Sequence, residues 1–267
     1  MPTPQIQNDP IYAISFLYKQ GLTISNDATT PNTVLDIAAG QCRDSQDNID
    51  ICLGSAPLNG ATTAAPLLLN GAINGANGLD TGTLAASTTY AVWMIADSRY
   101  YQPVAAILTL ATNTLPLIPF GYDSYRLIGY WSTNSSLHFI SGYISGSGSN
   151  QTFTYDAPQA TSVTAGASTT YAAVNLAGLV PNVNNVVVNV QTNFNANAAG
   201  DTLSLQGGNT TGTPVLIIAP AAGATAHTVT NSLVLAQLVA GAPTINYKVS
   251  SASDAVAIDV VGYTFNV

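Results

Sequence analysis

The chain has 267 residues, of which 47% are apolar and only 7% charged, against about 25% charged in an ordinary soluble domain. All thirteen acids are Asp, and five basic residues leave a net charge of −8. This inventory excludes the cationic patch needed for nucleic acid or an anionic membrane surface, and the near absence of Glu and Lys argues against helices, so an all-β chain is expected.

In chain order, the first ten residues carry no basic residue ahead of a short apolar segment and no clear cleavage site, so no secretory leader is expected. Short runs of β-branched and aromatic residues predict strands at 11–18, 22–25, 33–38, 49–53, 89–96, 126–131 and 137–144. Between 55 and 83 the chain is rich in Asn, Gly, Pro and Ala, with turn signals at Leu58-Asn59-Gly60 and Ala76-Asn77-Gly78. That stretch reads as loop or irregular sheet, with a short helix over 64–69 as the alternative.

Cys42 and Cys52 flank the turn-forming Gln46, Asp47 and Asn48. A three-residue hairpin loop there pairs Ser45 with Ile49 and sets Cys42 across from Cys52, either as two small buried thiols or as a cross-strand disulfide. The same register sets Asp44 opposite Asp50, a repulsive pair unless a cation or water lies between them. Two cysteines and two distant histidines provide no zinc set, so no metal or other cofactor is expected.

Fourteen of the eighteen formal charges lie in residues 1–156. The shift coincides with the run Ser145-Gly146-Ser147-Gly148-Ser149-Asn150, whose composition suits a flexible connection. Two β-rich modules are therefore expected, 1–150 and 151–267, although the Gly-Ser run also fits a hairpin tip. In the second module Val163, 171–176, 185–194, 202–206, 215–218, 225–229, 245–250 and 256–265 have the count and spacing of a β-sandwich or jelly roll. Val256, Ile258 and Val260 alternate on one parity and Val261, Tyr263 and Phe265 on the other, as a bulge near Val260 produces. Residues 233–238 read equally as helix or strand. The uncharged stretch 202–247 is broken by Pro214, Pro220 and Pro243, so no membrane-spanning helix is expected. Ala86-Ser87-Thr88-Thr89-Tyr90-Ala91 recurs as Ala167-Ser168-Thr169-Thr170-Tyr171-Ala172, a weak echo in a Thr/Ala-rich chain.

Catalytic motifs are mostly lacking: no nucleophile elbow, phosphate loop, H-E-x-x-H or Cys-x-x-Cys occurs. His138 and His227 read as surface or edge residues. Thirteen Asp contain enough carboxylates for a glycosidase pair, yet Asp27, Asp47, Asp80 and Asp123 sit beside turn residues, where Asx side chains cap backbone amides. A non-enzymatic chain is expected. Aromatic residues are denser: Tyr100 and Tyr101 precede Pro103, and 120–131 contains Tyr122, Tyr125, Tyr130 and Trp131. Such rings beside Asp and Arg suit contact with a receptor or another subunit; the alternative is that they fill the core.

A resemblance is carried by residues 21–40 with Arg43-Asp44-Ser45, by Leu79-Asp80-Thr81-Gly82 through Ala96-Asp97-Ser98, and by 121–129 (Gly-Tyr-Asp-Ser-Tyr-Arg-Leu-Ile-Gly). Together they span about residues 20–133 and resemble a module of bacteriophage fibre and other virion proteins. The resemblance implies a β-rich homotrimeric appendage on the virion exterior, made in the host cytoplasm. Its partners would be other virion proteins and a host-surface glycan or protein. No catalytic residue carries over. The chain lacks a long repetitive shaft, so a short tail fibre is expected, with a head fibre or capsid decoration, or a carbohydrate-binding or polysaccharide-cleaving protein, as the alternatives.

Overall fold

A computed structural model describes residues 18–54, 65–183, 186–208, 213–219, 227–239 and 241–267. The expected strand at 11–18, but for Tyr18, and the turn at 58–60 lie outside these residues. Among the described residues there is no helix. The strands are β1 (Lys19–Gly21), β2 (Ile24–Asn26), β3 (Val34–Ile37), β4 (Gly40–Arg43), β5 (Asp50–Leu53), β6 (Leu67–Asn70), β7 (Gly78–Leu79), β8 (Thr89–Ala96), β9 (Ala105–Leu110), β10 (Ser124–Ser132), β11 (Gly142–Ser147), β12 (Asn150–Ala160), β13 (Ala172–Asn175), β14 (Val186–Asn195), β15 (Thr202–Gly207), β16 (Val215–Ile218), β17 (His227–Val239), β18 (Ala242–Val249) and β19 (Ala255–Asn266). The all-β expectation holds, and nearly all pairings are antiparallel.

Among the described residues the strands form three sheets. One has the order β1-β4-β5, a second β10-β8-β9-β7, and the largest runs β16-β15-β18-β17-β14-β19-β12-β11-β2-β3-β6, with β13 also pairing β18. All eight residues of β8 are buried, which its continuous apolar run dictates for a central strand covered on both faces. β14 instead alternates buried positions with half-buried or exposed ones, as a one-sided strand does. β19 shows the expected bulge: its pairing with β14 jumps from Asn189↔Gly262 to Val190↔Val260, which leaves Val261 extra. Val256, Ile258 and Val260, then Tyr263 and Phe265, thereby all reach the core. β17 pairs β14 through Ala236 and β18 from Gln237 onward, so the strand reading of 233–238 prevails.

Several expectations are corrected. Residues 67–70 are strand, because Leu67–Asn70 pairs β3 in register and buries Leu69 while Leu68 faces out. The Gly-Ser run is the tip of the β11–β12 hairpin, closed by Ser147↔Asn150 with Gly148 at φ +62°, and no linker lies there. β12 pairs β19, so one sheet continues from the N-terminal into the C-terminal half. The two halves also share a core. Phe153 stacks on Tyr263 at 5.1 Å and meets Trp131 edge-on at 4.8 Å. The Tyr263 hydroxyl donates to the Tyr130 carbonyl at 3.2 Å. Gly129 permits the four-stranded sheet to approach the large one, since a Cβ there would meet Ile144 Cδ1 at 2.5 Å and Ile24 Cδ1 at 3.0 Å.

The cysteine register is corrected by one residue. β4 and β5 pair Gln41 with Cys52, Cys42 with Ile51 and Arg43 with Asp50. Both thiols are free, Cys42 buried and Cys52 exposed, on opposite faces of the ladder. Asp44 is the cause. Its backbone N–H donates to Ile49 O at 3.0 Å, closing a four-residue loop, and its carboxylate accepts from Asn48 N at 2.6 Å and Ile49 N at 2.9 Å. Asp50 faces Arg43 at 3.0 Å instead of Asp44, so the like-charge pair does not arise.

Candidate contact surface

The C-terminal end of β8 and the N-terminal ends of β9 and β10 lie together in the antiparallel ladder. The loop 97–104 and the end of the loop 111–123 therefore meet at one end of the four-stranded sheet. Short polar side chains hold them. Asp97, buried, accepts from Arg99 N at 3.0 Å and Tyr101 N at 3.1 Å, and its carbonyl accepts from Tyr100 N at 2.9 Å. Asp123 takes Ser98 N at 2.7 Å and Ser98 Oγ at 2.6 Å across the two loops. Gly121 lies against Gln102, and the Tyr122 hydroxyl donates to Pro103 O at 3.0 Å.

This wiring presents rings to solvent. Tyr101 is 80% exposed, Tyr100 46% with φ +61°, and Phe120 is fully exposed. Arg99 Nε donates to Asp97 Oδ1 at 3.0 Å and its guanidinium lies 5.8 Å from the Tyr101 ring centroid, so its charge is already engaged by a carboxylate and a π face. Burial alone would raise the Asp97 and Asp123 carboxyls, but the hydrogen bonds they accept outweigh it and hold both below the usual value. Asp123→Ala, which leaves Ser98 N unpaired, is expected to cost about 1 kcal/mol and to raise hydrogen exchange across 97–104; an unchanged exchange pattern would count against this role.

The expected site residues divide. Tyr100 and Tyr101 are at the surface, Tyr122 is half-buried beside them, and Tyr125 is half-buried with its ring edge-on to Trp93 at 5.7 Å. Tyr130 and Trp131 are corrected to core residues: both are buried, Tyr130 against Phe265 at 5.2 Å and Trp131 with Nε1 donating to Ile140 O at 3.1 Å. They follow the bulge between Leu127 and Gly129, on the part of β10 that packs against the large sheet. The sequence reading missed Leu115 and Leu117 as surface residues; with Phe120, which opens the aromatic run, all are more than half exposed. The signal available was an apolar run interrupted by Pro116 and Pro119, which cannot form a strand interior.

The carboxylates are largely committed to loops. Asp27 accepts from Thr29 N at 3.0 Å, and Asp80 accepts from Thr81 N and Thr109 Oγ1, while Asp47 holds Arg43 and Asp123 bridges two loops, so the local-turn expectation holds only for the first two. Among the described residues, no group of three or more His, Cys, Asp or Glu is placed to hold a metal ion, and no helix is long and apolar enough to cross a membrane. His138 lies in the 134–138 turn, where its N–H donates to Asn134 Oδ1, and the side chain of His227 is outside the described residues. The chain matches no protein-family model, no curated protein and no solved structure.

Proposed function

We propose that this chain is a structural subunit of a bacteriophage virion, a short fibre that assembles through its N-terminal half and serves attachment to the host surface. The observation that carries the reading is the ring-bearing end of the four-stranded sheet. Exposed Tyr101 and Phe120 stand on loops fixed by Asp97 and Asp123, with the neighbouring charges consumed locally. Rigid aromatic groups displayed without free charge are a contact surface for another polypeptide. The sheets of the C-terminal half, between which β17 passes, are read as a displayed β-sandwich, with Leu216 and Ile218 exposed on β16.

Two measurements test this. Purified particles are expected to contain the chain in fixed stoichiometry, and its absence from them would remove the virion reading. Light scattering at low micromolar concentration is expected to return three times the 27.4 kDa chain mass; a stable monomer would overturn the homotrimer.

A further inference from the structure

Lys19 and Gln151 stand 132 residues apart in the chain, yet both are buried and in direct contact: Lys19 Nζ donates to Gln151 Oε1 at 2.7 Å. The Gln151 carboxamide is held at both ends. Its Nε2 donates to Gly148 O at 3.0 Å, and Gly148 N donates to Lys19 O at 3.0 Å, which fixes β1 against the tip of the β11–β12 hairpin. A carbonyl bond is about 1.23 Å long, so an atom 2.7 Å from Oε1 lies about 3–4 Å from the carboxamide carbon. That is close to the separation of groups placed to react. Water is excluded: Cys42 lies opposite Lys19 in the β1–β4 ladder and Phe265 opposite Gln151 in the β12–β19 ladder, both buried. Lys19 Nζ donates otherwise to Gly21 O at 3.2 Å, so neither of these partners is a carboxylate. Burial lowers its pKa to about 8, which brings the free amine, a nucleophile, within reach near neutral pH.

We propose that Lys19 and Gln151 join in a covalent isopeptide bond, formed within the folded chain without a separate enzyme. The Nζ lone pair attacks the Gln151 carboxamide carbon, a C–N bond forms, and the bond to Nε2 breaks. The proton shed by Nζ departs with Nε2 as ammonia. Amine and primary amide thus become secondary amide and ammonia, with no oxidant or other reactant. The hydrogen bond from Nζ to Oε1 is given up as the lone pair turns to carbon, which makes the step slow. Dry surroundings protect the carboxamide from hydrolysis meanwhile. The product replaces a buried cation with a neutral amide and removes the cost of holding that charge. Lys19 is therefore a penalised cation only in freshly folded chain, and comparisons of stability between Lys19 variants belong to that state. Once formed, the bond ties β1 to the hairpin that opens the C-terminal half, and a tie across 132 residues restrains the unfolded chain strongly. This inference stands independently of the virion reading.

Mass spectrometry of the full chain tests it, after ageing the folded protein at about pH 9, above the Lys19 pKa, and then denaturing and reducing it. A species lighter by one ammonia is expected to accumulate, and digestion is expected to return Lys19 and Gln151 in one branched peptide. Both signals are expected to vanish in Lys19→Arg, which keeps the charge. Recovery of Lys19 and Gln151 from the aged native chain only in separate peptides would overturn the proposal, and this needs no variant to fold. Loss of ammonia without the branched peptide would also overturn it and assign the loss to a succinimide at an Asn-Gly step such as Asn70-Gly71.

Discussion

Trp131→Ala is expected to lower stability by about 3–5 kcal/mol, the cost of emptying a large buried site that cannot collapse. Trp131 is fully buried and meets Phe153, whose ring also contacts Tyr155 and Tyr263. The void would open where β10, β12 and β19 come together. Both halves of the chain should therefore lose stability in one denaturant transition. Two transitions, with only the first half affected, would show that the shared aromatic core does not couple them. Tyr101→Ala, by contrast, removes an exposed ring with no described core contact. Its change should be a small fraction of the Trp131 effect.

The second expected result is a gain. Lys19 is 2% exposed; its Nζ donates to Gln151 Oε1 at 2.7 Å and to Gly21 O at 3.2 Å, with no carboxylate among these partners. Burial chiefly, with a smaller contribution from the nearby Arg126 guanidinium, lowers its pKa from 10.5 to about 8. Holding it charged at pH 7 thus costs about 3 kcal/mol, while Lys19→Met leaves the Gln151 carbonyl without that donor at about 1–2 kcal/mol. A net stabilisation of about 1–2 kcal/mol is expected at pH 7. The sign with pH follows from linkage: the folded state sheds its proton near 8 and the unfolded state near 10.5, so the wild-type penalty is fully present below 8 and is relieved as pH rises between these values. The advantage of the variant should shrink by about 2 kcal/mol between pH 7 and 9.5. Cys42, pushed up to about 12 by burial and interacting with Lys19, and the buried Tyr130 phenol stay protonated in the folded state across this range in both proteins, so their loss of stability with rising pH is common to the two and the difference reports Lys19. A pH-independent difference in chemical denaturation would sink this account.

Much of the β-structure was legible because it is written in local periodicity. Residues 89–96 and 215–218 are strands with the expected ends, and the parity change at Val261 announced the bulge in β19. Ala105–Leu110 passed unnoticed because its small residues carry a weak β signal; it is a strand because Trp93 and Ile95 of β8 pair with it. β1 is three residues long, too short for any period to register. The cysteine register slipped by one because the Asp44 carboxylate gathers the amides of its own loop, and a single residue more in a turn moves every side chain of a strand to the other face.

The contact surface was half legible. Tyr100 and Tyr101 stand out beside Pro103, but nothing local separates Tyr122 from Tyr130 or Trp131 in one aromatic run. Charge scarcity and alternation by themselves determined an all-β chain, since both act through residues adjacent along the strand. Which rings are buried was decided only by the tertiary structure. Trp131 and Tyr130 are in the core because Phe153, Tyr263 and Phe265 arrive from strands more than twenty or more than a hundred residues away. Phe120 is in water at this end of the sheet because none of the described residues covers it.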